Sequence, residues 1–223
     1  MQASPAPIAA VIFDADGTLV DSEELGLEAL ATYARSIGVP LQDGEEIAAL
    51  RGRSMPGTLQ LFAQRLGRAL PADFEQQARA RMAQAFERHL LPLPGAREVV
   101  ERLTVPFCVA TNGPRHKVEL TLQITGLLDL FRGRIFSAYE IGSYKPAPGL
   151  FLAAAAALGV PAEQCAVVED SEPGMLAGLA AGMRVFAVRS DRPLPPELAA
   201  RVEWLERLED LLRFVTAPGS RPA

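Results

Sequence analysis

A chain of 223 residues is long enough for one large domain, or for a domain that carries an insertion. Hydrophobic residues make up 49% and charged residues 22%, which supports a sizeable core and excludes wholesale disorder. The net charge of -5 gives no basic excess for nucleic acid or an anionic membrane, and every apolar run is far shorter than the ~18 residues of a bilayer span.

The N-terminal MQASPAPIAA carries no charged leader, so no signal peptide is expected and the cytoplasm is the expected compartment. Cys108 and Cys165 sit in or beside apolar strand-like runs and read as buried, reduced thiols. The two histidines, His89 and His116, are far apart, so a histidine-based metal centre is not expected. Of 22 cationic residues only Lys117 and Lys145 are lysine, so a lysine is more informative here than usual.

In chain order, the apolar run Ile8 to Phe13 has the length of one buried strand and runs straight into Asp14, Asp16, Gly17 and Thr18. Ser22 to Gly38 reads as a helix, with Ser22 or Asp21 as cap, Glu24 following Asp21 by three residues, and Gly38 as the stop. Helical patterns follow at Asp43 to Leu50, at Ser54 to Gly67 with Pro56 in the first turn, and at Asp73 to Leu90. No strand pattern occurs from Asp21 to Leu90.

Leu91-Pro92-Leu93-Pro94-Gly95 breaks this run, and helices then alternate with strands. The helices are Ala96–Leu103, Arg115–Thr125, Pro148–Leu158, Glu172–Ala181 and Leu208–Val215. The strands are Pro106–Ala110, Arg134–Phe136, Cys165–Val168 and Arg184–Val188, and Ala217 onward reads as a frayed tail. This alternation predicts an α/β fold, a Rossmann-like parallel sheet covered on both faces. Residues 1–17 and 92–223 would form the catalytic core. Residues 18–91 would form a helical cap inserted after the first strand, a substrate lid with hinges near Thr18–Ser22 and Leu91–Pro94.

The first strand ends in Asp14 and Asp16, the second in Thr111, Asn112 and Gly113, and the fourth in Glu169 and Asp170; Lys145 follows the third. In a parallel sheet these groups share the edge where ligands bind. Two like charges ~4 Å apart repel by about 4 kcal/mol at an effective dielectric near 20. Without a cation, at least one acid would be driven toward protonation. An all-oxygen donor set of this density suits Mg²⁺. Thr111 offers a hydroxyl, and Asn112 and Gly113 offer N–H groups to an anion at a helix start. Metal, phosphate and a surplus carboxylate together suggest phosphoryl transfer, with one carboxylate attacking phosphorus and a second acid exchanging protons.

Four motifs carry a resemblance: FDADGT at Phe13–Thr18, VATNG at Val109–Gly113, SYKPAP at Ser143–Pro148 and VVEDS at Val167–Ser171. In this order they resemble the haloacid dehalogenase (HAD) superfamily, and the helical insertion looks like the cap of its β-phosphoglucomutase-like branch. The resemblance implies Asp14 as nucleophile, Asp16 as acid/base, and Thr111 and Lys145 on the transferring phosphoryl group. It implies Mg²⁺ on Asp14, on the backbone carbonyl of Asp16 and on Asp170, with Glu169 a direct or water-mediated ligand.

Departures from that pattern narrow the reading. Sugar-phosphate mutases carry a histidine twelve residues after the nucleophile, where this chain has Gly26, and Ser-Ala-Ser where it has Thr-Asn-Gly. Phosphonate-cleaving relatives need a cap lysine, and residues 21–90 contain none. Dehalogenating relatives lack the second acid, here Asp16. Hydrolysis of a phosphate monoester remains. The NGP run at Asn112–Pro114 and FSAYEIGSYKP at Phe136–Pro146 look most like the 6-phosphogluconate-type sugar phosphatases. A β-phosphoglucomutase-type mutase is the alternative. A phospho-aspartate regulatory domain is disfavoured, because its lysine follows the other groups whereas Lys145 precedes Glu169.

Arg51 and Arg53 in LRGRSMPG could hold the rest of the substrate, although arginine is this chain's ordinary surface cation. Lys117 could reach the substrate from the helix after Thr111, or lie on a solvated helix face. Ser171 is read as a helix cap. The expected partner is a small phosphorylated metabolite, with no nucleic acid or membrane, and the expected state is a monomer or weak homodimer.

Overall fold

Short, β-branched, apolar segments bounded by loops give the sheet its strands. The structure is a computed structural model that describes residues 7–42, 44, 47, 49–51, 53–188 and 193–215. The strands are β1 (Ala10–Phe13), β2 (Phe107–Thr111), β3 (Ile135–Ser137), β4 (Cys165–Glu169), β5 (Arg184–Ala187) and β6 (Glu203–Trp204). They form one sheet in the order β3-β2-β1-β4-β5-β6. Every neighbouring pair is parallel. The α-helices are α1 (Glu23–Ser36), α2 (Met55–Leu66), α3 (Phe74–His89), α4 (Ala96–Arg102), α5 (Arg115–Ile124), α6 (Ala138–Ile141), α7 (Gly149–Leu158), α8 (Glu172–Ala180) and α9 (Pro196–Ala199).

The chain divides into two compact units, Met1–Val20 with Pro92–Ala223, and Asp21–Leu91. In the first unit, strand residues alternate between the two faces. Ala10 and Ile12 of β1 share a buried cluster with Leu150 and Phe151 of α7 and Met175 of α8. On β1 and β2, Phe13 and Phe107 both meet Phe131 edge-on, with ring centroids 6.3 and 5.4 Å apart. Gly178 lets α8 lie close on the sheet, since a Cβ there would stand 2.8 Å from Val185 Cγ2. Cys108 and Cys165 are buried and reduced on β2 and β4, which β1 separates. Burial pushes the Cys165 thiol up to about 11.

The second unit is helical throughout its assigned elements. Leu30, Tyr33, Ala34, Phe62, Phe74 and Ala78 form its core, with Tyr33 stacked on Phe74 at 4.8 Å. Ser54 caps α2 by accepting from the Gly57 N–H, and Gly67 ends it in the left-handed region at φ 70°. Gly26 on α1 is buried against α3: a Cβ there would lie 3.0 Å from Met82 Cε and 3.3 Å from Phe86 Cζ. Half of the helix expected over Asp43–Leu50 lies outside the described residues, as does all of the expected tail from Ala217.

The parallel α/β sheet is as expected, with these corrections. A sixth strand, β6, is present; Glu203 and Trp204 are too few to register as an apolar run, and Arg184 anchors the edge through a two-pronged pair with Glu203 (3.0 and 2.9 Å). The final helix is a 3₁₀ segment, Leu208–Arg213, and the short helices α6 and α9 were not anticipated. Ser22, not Asp21, takes the N-cap position of α1, without a side-chain cap bond. Among the described residues, no helix is long and apolar enough to cross a membrane.

The tight α1–α3 contact generates a prediction. Gly26→His places a large polar ring where even a methyl is crowded, so stability falls by about 1–3 kcal/mol, read from urea denaturation midpoints. An unchanged midpoint would show that α3 yields freely.

Candidate active site

Strand order reverses at β1, which has β2 on one side and β4 on the other. This is the switch point at which parallel sheets open a crevice. Asp14 follows β1 directly and is tied to β4 by its N–H, which donates to the Val168 carbonyl (2.9 Å). Thr111 ends β2 and Glu169 ends β4. Parallel pairing therefore brings three groups distant in sequence to one edge.

The turn after β1 is closed by the Gly17 N–H on the Val20 carbonyl (2.8 Å). Gly17 has φ 81°, and a Cβ there would stand 2.0 Å from Asp170 Oδ2. Only glycine lets this turn adopt that conformation while Asp170 lies against it. Gly174 plays the same part for Glu169, since a Cβ there would fall 1.9 Å from its carboxylate carbon.

Lys145 is the centre of the arrangement. Its Nζ donates to Asp14 Oδ1 and to Glu169 Oε1, the latter at 2.6 Å. The side chains of Lys145 and Glu169 are 3% and 0% exposed. Glu169 Oε2 accepts from the Ser171 N–H (3.1 Å) and hydroxyl (2.8 Å). Ser171 Oγ in turn accepts from the Gly174 N–H (3.2 Å), capping α8. Ser171 is thus the cap that was expected and also an anchor for Glu169, a second role not legible in the motif.

Asn112 holds the Lys145 loop. Its Oδ1 accepts from the Lys145 N–H (2.9 Å), and its Nδ2 donates to the Lys145 carbonyl (3.3 Å). The Gly113 N–H donates to Thr111 Oγ1 (2.9 Å), and the Gly113 carbonyl accepts from Ser137 Oγ (2.7 Å). The Asn112 side chain therefore fixes the lysine, and the Gly113 N–H already has an acceptor within the turn. Arg51 and Arg53 belong to the helical unit, where Arg51 pairs with Glu24 (3.0 Å) and Arg53 donates to the Ala49 carbonyl (3.2 Å).

Asp14, Glu169 and Asp170 bring carboxylate oxygens within 4.8 Å of one another. All three donors are hard oxygens, the type that Mg²⁺ and Ca²⁺ select. Asp16 is outside that group; its Oδ2 accepts from Lys117 Nζ at 2.7 Å. Lys117, left undecided by sequence between substrate and solvent, is therefore on the acid two residues past Asp14. Four carboxylates face two ammonium groups, an excess of anion that fits a divalent cation.

Burial pushes the Asp14 carboxyl from 3.8 up to about 7; Lys145 pulls it down, while Glu169 and Asp16 push it further up. Burial also works against the Lys145 charge, but Asp14 and Glu169 more than offset it and hold its pKa above the ordinary lysine value.

The haloacid dehalogenase-like hydrolase family matches residues 8–182. The chain is 33% identical over 213 residues to the 6-phosphogluconate phosphatase of Escherichia coli K12, covering 95% of this chain and 96% of that one. It is 34% identical over 190 residues to hexitol phosphatase B of the same strain, covering 83% and 85%. Among solved structures, a HAD family hydrolase from Deinococcus radiodurans R1 with bound phosphate and sodium superposes with a TM-score of 0.73 at 30% identity, over 92% of this chain and 94% of that one.

The direction of the Asp14 shift fixes a sign. A carboxyl with a raised folded pKa contributes stability that is fully present below its unfolded pKa and is lost as pH rises through the folded value. Its window is therefore about pH 4 to 7, whereas the Lys145 contribution stays constant there. In chelator, Asp14→Asn should gain on wild type by on the order of 1–3 kcal/mol between pH 5 and pH 8, measured by urea denaturation at each pH. A stability difference independent of pH would show that Asp14 does not titrate in this range.

Proposed function

Because the chain belongs to the haloacid dehalogenase-like hydrolases, we propose that it is a Mg²⁺-dependent phosphatase of small phosphate monoesters, sugar phosphates or sugar-acid phosphates including 6-phosphogluconate. The observation that carries this reading is the buried Lys145 ammonium between Asp14 and Glu169, on the edge where Thr111, Asp16 and Asp170 also end. The phosphatases of E. coli to which it is similar support the substrate class.

In this reading an Asp14 carboxylate oxygen attacks phosphorus as the bond to the leaving oxygen breaks. Asp16 gives its proton to that oxygen, so the product leaves as an alcohol. Water then attacks the aspartyl-phosphate and passes a proton to Asp16; the bond to Asp14 breaks and inorganic phosphate departs. Thr111 and Lys145 bind the transferring phosphoryl group throughout. Asp14, Glu169, Asp170 and the backbone carbonyl of Asp16 would hold Mg²⁺, which supplies positive charge to the phosphoryl oxygens. The residues 21–91 unit would be the lid that reads the remainder of the substrate, with Arg51 and Arg53 as its candidate anion contacts.

Gly26 supports hydrolysis over the mutase alternative. Its position is filled by the packing of Met82 and Phe86, so α1 offers no acid or base there.

The test is a screen of phosphorylated sugars and sugar acids with Mg²⁺, with and without chelator. Turnover should require the ion, and Asp14→Asn should lower kcat by more than about 10³-fold while the far-ultraviolet spectrum is unchanged. Near wild-type turnover in that variant would rule out the covalent route.

A further inference from the structure

Lysine is this chain's rare cation, and Lys145 already serves the reacting end of the site. The other, Lys117, is in the first turn of α5, the helix that follows β2. Its Nζ is 2.7 Å from Asp16 Oδ2, across a sequence separation of 101 residues. The two side chains are 25% and 29% exposed, so the pair lies at the mouth of the crevice rather than free in solvent.

Gly113 lies beside the pair. A Cβ built there would stand 3.3 Å from Thr111 Oγ1, 3.7 Å from Lys117 Cδ and 3.9 Å from Asp16 Oδ2. Thr111, Lys117 and Asp16 therefore close around one glycine. An exposed lysine on a helix has about 2 kcal/mol of rotamer entropy to lose before it settles on one partner. Packing the stem over Gly113 limits that freedom, and the ammonium then holds one oxygen of Asp16.

We infer that Lys117 is a positioning residue for the phosphatase reaction: it fixes the Asp16 carboxyl so that Asp16 can hand its proton to the leaving oxygen. This rests on the phosphatase reading above. In the step concerned, the bond from phosphorus to the leaving oxygen breaks as the bond from Asp14 to phosphorus forms, and the Asp16 proton moves to the departing oxygen. Lys117 takes no atom and gives none.

The step makes its own test, because leaving groups differ in their need for a proton. An alkoxide from a sugar phosphate needs one, whereas p-nitrophenolate departs without help. The ratio kcat/KM counts only events up to the first irreversible step, transfer to Asp14, so breakdown of the aspartyl-phosphate does not enter. The assay compares p-nitrophenyl phosphate with the alkyl phosphate that wild type cleaves fastest among sugar phosphates and 6-phosphogluconate.

Lys117→Met should lower kcat/KM for the alkyl ester by roughly 10- to 100-fold, below the full effect of a general acid, and that for p-nitrophenyl phosphate by less than about threefold. Lys117→Arg, which keeps a cation within reach of Asp16, should recover much of the alkyl-ester value. Because both esters are assayed on the same sample, loss of folded protein would lower both alike. Equal loss on the two esters, or no loss on either, overturns the role of Lys117. A wild type that cleaves neither ester overturns the phosphatase reading and this inference with it.

Discussion

An ammonium group held between two carboxylates out of water is the constraint on which the site depends. Parallel strands deliver Asp14 and Glu169 to the same level of the same crevice, where their charges repel and burial penalises the Asp14 carboxylate. Lys145 makes that placement tolerable, and the two acids in turn support its charge against the penalty of burial. Removing one partner of such a group leaves a buried charge without compensation, at a cost of about 3–5 kcal/mol. The surrounding hydrogen bonds are intelligible on the same terms. Asn112 clamps the lysine by its main chain, and Ser171 saturates the second oxygen of Glu169.

Backbone does much of the remaining positioning. Gly17 and Gly174 admit carboxylates where any side chain would collide with them. Gly178 brings α8 down onto the sheet, and with it the Ser171 cap that reaches Glu169. Asp170 and Glu169 are thus packed against main chain, which suits a site whose charges must be in place before the substrate arrives.

Strand ends were the legible part of the sequence. Apolar runs that stop at Asp14, Thr111 and Glu169 predict both the parallel sheet and the edge at which the candidate site lies, because burial on both faces writes an uninterrupted signal. The edge strand β6 wrote none: its two residues are held by Arg184 through Glu203, an interaction of tertiary origin. The destination of Lys117 was equally hidden. Position on a helix says which residues share a face, but not that the face meets a turn 101 residues away. The scarcity of lysine was the one available signal. The N-cap of α1 shows a smaller failure, since Ser22 and Asp21 were equally plausible until the backbone selected one.

That scarcity has a practical side. With only two ε-amines in the chain, both bonded to carboxylates of the crevice, an amine-selective reagent has no scattered surface lysines to consume it. Lys145 is enclosed while the Lys117 side chain is one-quarter accessible, so acylation beyond the α-amino group would begin at the crevice mouth. Covalent labelling followed by intact-mass measurement would then report on the occupancy of this one place, a selectivity that lysine-rich proteins do not offer.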